Sequence, residues 1–208
     1  IKFSHDGHRM LISSSGGFIH SFELAQPFSL KHINYASENS ASFLGQSFDI
    51  NDDGTKLFTI RNHNTEKTLK EYTLSVPYDV STATELQSTS LGSTLVIDES
   101  YSDDTNKDPP QGLEFSKDGS MLFILIINNS DEIFKSGDFM EDEIFQFKLT
   151  TPFDTSTISL VGSSNVTSGY PTGSGDYSLG FTISPNGDRL FIINQSVGAG
   201  DIGNDSIS

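Results

Sequence analysis

Two stretches of the 208-residue chain concentrate carboxylates. One holds Asp98, Glu99, Asp103, Asp104 and Asp108, and the other Asp131, Glu132, Asp138, Glu141, Asp142 and Glu143. Grouped carboxylates among Asn and Ser oxygens could hold Ca²⁺, a hard cation that takes about six to eight oxygen ligands. Asp103, Asp104, Asp138, Glu141 and Asp142 are the candidate ligands. Their spacing is not that of an EF-hand, and no Gly/Asp nonapeptide repeat runs through it. A solvated acidic loop is the plainer reading, because a charge run commonly does no more than stay wet.

Other side chains offer less chemistry. His5, His8, His20, His32 and His63 lie apart, with no pair at metal-ligand spacing on one strand. Asp6, Asp53, Asp118 and Asn186 recur, but each stands beside a glycine, where Asp and Asn serve turns. Neither a nucleophile elbow nor a phosphate loop is present. No catalytic residue is assigned and no cofactor is expected beyond the possible Ca²⁺. The Gly/Ser/Thr-rich stretch 163–177 carries Tyr170 and Tyr177, whose rings could contact sugars or proteins.

The elements that must position these groups repeat. Gly112 to Ile127 reads as a strand, a turn at Ser116-Lys117-Asp118-Gly119, and a second strand with seven consecutive apolar residues, Met121 to Ile127. Such a run suits a strand covered on both faces. The same unit recurs around Asp6-Gly7, Asp53-Gly54 and Asn186-Gly187. A second motif follows three of the copies: Leu24 to Pro27-Phe28, Leu74 to Pro77-Tyr78, and Leu149 to Pro152-Phe153. Two unlinked motifs recurring in one order indicate a repeat architecture.

Each full unit holds four short strands, here a to d. The spacing predicts an all-β chain of four-stranded antiparallel meanders, a β-propeller with about three and a half blades. The units are 1–42, 43–96, 111–162 and 178–208, the last incomplete with strands a and b only. Strands are expected at 19–24, 31–36, 48–60, 69–74, 85–91, 113–127, 144–149, 158–162 and 179–193, and residues 37–42 look loop-like. A ring needs at least four blades, so the chain is expected to be part of a larger ring or assembly, and a processed or partial product. Residues 194–208 offer little for strands c and d.

Length differences between units fall in stretches 97–110, 128–143 and 163–177. In a meander, b–c and d–a connections share one face, while a–b and c–d turns share the other. All three insertions therefore decorate one face, and loops on a rigid scaffold are where binding concentrates. Asp104, Asp142, Tyr170 and Tyr177 are the expected contact residues, with a protein or glycan as partner.

The formal charge of −16 argues against nucleic acid, whose phosphates require a basic surface. There is no Cys, so disulfides and thiolate metal sites are excluded. No run is long enough for membrane insertion as a helix.

The pattern Phe115-Ser116-x-Asp118-Gly119-x-x-Leu122-Phe123, with Glu71-Tyr72-x-Leu74-Ser75-x-Pro77-Tyr78-Asp79-x-Ser81-Thr82-Ala83, resembles YVTN-type, WD-like propeller repeats. That resemblance covers nearly the whole chain. It implies an extracellular or cell-surface setting of the kind found in large bacterial, often marine, proteins and in some phage proteins. With no Trp, the WD dipeptide is absent. The resulting expectation is a non-catalytic scaffold for interaction or extracellular assembly. One alternative is a lactonase- or hydrolase-like propeller enzyme with a metal in its central channel, for which Asp49 and Glu114 are the nearest groups. Lys2 and Thr182 at the equivalent positions argue against a ligand ring. Another alternative is a phage or filament subunit.

Overall fold

The structure, a computed structural model, describes residues 1–14, 16–43, 45, 47–63, 66–92, 94–95, 110–127, 142–166, 177–184, 186–195 and 206–207. Among these, four antiparallel sheets follow one another, each in up-and-down order. The first contains β1 (Lys2–Phe3), β2 (Arg9–Ser13), β3 (Phe18–Leu24) and β4 (Ile33–Ser42). The second contains β5 (Ser47–Ile50), β6 (Lys56–His63), β7 (Glu66–Leu74) and β8 (Ala83–Ser90). The third contains β9 (Pro110–Phe115), β10 (Met121–Ile126), β11 (Glu143–Leu149) and β12 (Ile158–Asn165). The last has three strands, β13 (Tyr177–Ile183), β14 (Leu190–Gln195) and β15 (Ser206–Ile207).

Two expectations change. Residues 37–42 are not a loop: they complete β4, pairing Ser40 with His20 and Ser42 with Phe18. An outermost strand faces water along one edge, so its Ser and Asn residues need no apolar period, and pairing with β3 supplies the order. The fourth sheet also gains a third strand, because Ile207 pairs with Ile193 and Ser206 with Asn194.

The apolar runs are explained by stacking between sheets. Leu57 packs with Leu11, Ile19 and Tyr72 at the joint of the first two sheets. Its neighbours Phe58 and Ile60 point the other way, into the joint with the third, against Phe115, Leu122 and Ile124. A middle strand is thus apolar on both faces, as the unbroken run at 121–127 implied. Each such side chain, fully buried, contributes about 1.5–3 kcal/mol.

Polar groups also lock the joints. Ser21, Glu71 and Gln146 each stand three residues before Leu24, Leu74 and Leu149 on strand c. The Ser21 hydroxyl donates to the Tyr78 carbonyl of the next sheet at 2.6 Å. Glu71, 0% exposed, accepts from the Thr155 N–H at 3.0 Å, the Thr155 hydroxyl at 3.1 Å and Gln87 Nε2 at 2.7 Å. Lys56 pairs with Glu71 at 2.6 Å and donates to the Phe153 carbonyl at 2.7 Å.

The two sequence motifs meet in space. Gly7, Gly54, Gly119 and Gly187 end the a–b turns at φ between 71° and 74°, the left-handed region that glycine enters without a Cβ clash. The N–H groups of Phe28, Tyr78 and Phe153 donate to the carbonyls of Gly7, Gly54 and Gly119 at 2.9, 2.9 and 3.1 Å. Each ring then lies over its glycine, so that a Cβ there would fall under 3.0 Å from ring carbons. Those aromatic residues themselves sit at φ 56°, 61° and 55°. Such a conformation costs about 1–2 kcal/mol for an L-residue, and it places the ring on the glycine. The repeat is a latch that closes the a–b turn against the c–d turn of the same blade.

Aspartates fasten these turns. Asp6, Asp53, Asp118 and Asp154 are held below the ordinary carboxylate range chiefly by the hydroxyls of Ser4, Thr55, Ser116 and Ser156. A carboxyl with a depressed folded pKa stabilises the fold above its unfolded pKa, and that contribution disappears as pH falls through the folded value. Stability measured by urea unfolding should therefore decline below about pH 4. Asp118→Asn, which cannot titrate, should flatten part of that decline; an unchanged acid profile would contradict this origin.

Candidate functional site

The first strands of consecutive blades lie side by side and line the centre of the array. Lys2, Asp49, Glu114 and Thr182 each stand five residues before a turn glycine, and the structure joins all four. Lys2 Nζ lies 3.0 Å from Asp49 Oδ1 and 3.4 Å from Glu114 Oε2. Asp49 Oδ2 accepts from the Phe115 N–H at 2.7 Å. Glu114 Oε1 accepts from the Thr182 hydroxyl and the Ile183 N–H, both at 3.1 Å.

Every oxygen of both carboxylates is therefore engaged by the protein itself. Burial pushes the Asp49 carboxyl up from its ordinary range, against the pull of Lys2 and the Phe115 N–H. Desolvation acts to lower Lys2, but the facing carboxylates outweigh it and raise its pKa. The ammonium stands where a channel cation would find its two nearest acids. This arrangement stitches four inner strands together, and the charge a metal would bring is already supplied by Lys2.

The histidines whose side chains are described are engaged separately. His8 Nδ1 lies 3.0 Å from the Leu24 carbonyl, His20 Nδ1 2.9 Å from Glu38, and His32 Nδ1 2.7 Å from the Ser29 hydroxyl. No group of three His, Cys, Asp or Glu residues with metal-holding geometry occurs among the described residues.

The insertion-bearing rim is defined by its anchors. Pro110, Ile126, Glu143 and Asn165 are register partners in one row across the third blade. The connections 97–110, 128–143 and 163–177 therefore leave from one edge, opposite the latched turns. Asp142 sits at this rim, 2% exposed, and its Oδ2 accepts from the Ser178 N–H of the next blade. Its carbonyl accepts from the Val166 N–H at 2.9 Å. Tyr177 opens β13 and pairs with Gln195. Asp103, Asp104, Asp138, Glu141 and Tyr170 lie outside the described residues.

Sequence reasoning passed over Glu71, the most buried carboxylate of the described residues. The available signal was its place in β7, between Leu69 and Leu74, where a lone acid among apolar residues must meet a partner in the interior.

No family model matches the sequence, and no curated protein matches it. Solved structures do. Hydrazine synthase from Kuenenia stuttgartiensis aligns over 94% of this chain and 51% of its own, with TM-score 0.54 and 10% identity. The fold is a β-propeller. A 6-phosphogluconolactonase-like protein from Bacteroides uniformis, itself described only as such by similarity, aligns over 100% of this propeller and 52% of its own chain, with TM-score 0.48 and 15% identity. The propeller domain of Cps50 (Swd1) from Myceliophthora thermophila aligns over 100% and 69%, with TM-score 0.41 and 9% identity. This propeller segment thus spans about half the length of the first two chains it matches, in keeping with membership of a larger assembly. At such identities the likeness concerns fold alone.

Proposed function

We propose that this propeller is a non-catalytic scaffold of the YVTN-repeat kind, secreted or at the cell surface, that binds a protein or glycan through the face carrying 97–110, 128–143 and 163–177. The observation supporting this reading is the difference between its two faces. On one, glycine and aromatic residues close the turns over each other in three successive blades. On the other, the long connections spring from a single row of anchors. A rigid array with its variable loops gathered at one edge is how scaffolds present a binding surface. The channel groups are consumed in ion pairs and hydrogen bonds within the fold, which leaves the loops as the place for recognition. Asp103, Asp104, Asp138 and Glu141 retain the Ca²⁺ expectation as part of this proposal.

The test is binding to a panel of polysaccharides and surface proteins, with and without Ca²⁺, by biolayer interferometry. Removing residues 131–141 while keeping Asp142, whose carboxylate holds Ser178, should weaken a captured ligand by about tenfold or more. Loss of a single interface anchor commonly costs more than 1 kcal/mol, and about 1.4 kcal/mol is tenfold. Lys117→Ala on the latched face should leave binding unchanged. Equal binding by the loop deletion, or loss with Lys117→Ala, would reverse the assignment of faces.

A further inference from the structure

The fourth blade carries half of a latch. Gly187 has φ +74° and its N–H donates to the Ser184 carbonyl at 2.8 Å, as at the other three turns. Yet no described atom lies within 4 Å of where its Cβ would be, while Gly7, Gly54 and Gly119 are each covered by a ring. The apolar side chains beside it are open: Leu190, Phe191 and Ile193 are 39%, 38% and 46% exposed. Their counterparts in the second blade, Leu57, Phe58 and Ile60, are each 0% exposed.

Register specifies what would complete the blade. In the first three blades, strand b pairs Ser13 with Ile19, Ile60 with Leu69 and Leu125 with Ile144. Eight residues after Ile19, Leu69 and Ile144 come Pro27, Pro77 and Pro152, and nine residues after them come Phe28, Tyr78 and Phe153. The corresponding pair in the fourth blade is Ile193 with Ile207. The joint with the preceding blade agrees. Ser21 and Glu71 bond to the next blade's c–d turn, and Gln146, half-buried, is their third-blade counterpart.

We propose that the surface formed by Gly187, Phe191, Ile193 and Gln146 receives a proline–aromatic turn of the same polypeptide, with the proline eight and the aromatic nine residues after Ile207, and the ring seated on Gly187. Continuity with three identical joints in the same chain identifies the occupant. The ring needs the glycine beneath it, and the turn carbonyls need a strand-c donor such as the Gln146 amide. This inference is independent of what the opposite face binds.

The experiment uses the native polypeptide at its full length. Peptide mass spectrometry past Ser208 should find the proline and aromatic at those positions. Gly187→Ala should lower its Tm as far as Gly119→Ala does, because both would force a methyl into a ring. Amide exchange at 186–193 should be as slow as at 118–125, a readout that survives if either variant fails to fold. A different residue at the aromatic position, a polypeptide that stops at Ser208, or fast exchange at 186–193 would overturn the proposal. So would a Gly187→Ala variant much milder than Gly119→Ala. Protection present only in a species of twice the monomer mass would assign the turn to a second copy and overturn the source.

Discussion

Glu71→Ala should destabilise the propeller by about 3 kcal/mol, the lower part of the range of about 3–5 kcal/mol for breaking a buried charge pair. The carboxylate is completely buried and has four partners: Lys56, Gln87, and the Thr155 N–H and hydroxyl. Removing it strands the Thr155 N–H and hydroxyl in the joint between the second and third blades, where an unmade hydrogen bond costs about 1–3 kcal/mol. The lower figure follows because the Lys56 side chain is 28% exposed and can turn to water. Urea unfolding should show a lowered midpoint with an unchanged slope if the unfolding unit stays the same. Glu71→Leu combined with Lys56→Met should recover only part of the loss, since Gln87 and Thr155 keep their unmet donors. A single-variant loss under about 1 kcal/mol would mean that the network is redundant with the apolar joint.

The fold was readable because the repeat has two independent markers. Asp118-Gly119 and Pro152-Phe153 are separated in sequence, yet each recurs, and both are demanded by local chemistry: a left-handed glycine and a fixed proline φ. Their mutual contact was not readable, since spacing along a chain carries no information on which turns share a face until strand directions are known. Strand β4 was half missed for the opposite reason. Its outer half, Ser37 to Ser42, owes its conformation to pairing with β3 and not to its own composition. In the channel, the shared position of Lys2, Asp49, Glu114 and Thr182 was legible, but the mixture of types looked like noise. The structure shows complementarity instead, because Lys2 reaches past its neighbour Asp49 to Glu114, two blades away. Of the candidate contact residues, Asp142 turns out to hold the start of β13, a role with no signature in an acidic run.

Gly54→Ala should lower stability by about 2–5 kcal/mol, two separable contributions adding. The backbone at φ +72° charges an L-residue about 1–2 kcal/mol. The new methyl would also lie against the Tyr78 ring, and forcing an extra carbon into a packed site costs about 1–3 kcal/mol. Tyr78 cannot swing aside freely, because its N–H is bonded to the Gly54 carbonyl at 2.9 Å and its hydroxyl donates to the Asp52 carbonyl. A double-mutant cycle separates the two contributions. With Tyr78→Ala in the background, Gly54→Ala should cost only the backbone part, so the coupling between the positions should be about 1–3 kcal/mol. Gly162→Ala is the control: a Cβ there meets nothing within 4 Å, and its change should stay within about 0.5 kcal/mol. Zero coupling between Gly54 and Tyr78 would mean that the ring yields to the methyl, and that the latch holds the turns through its hydrogen bond alone.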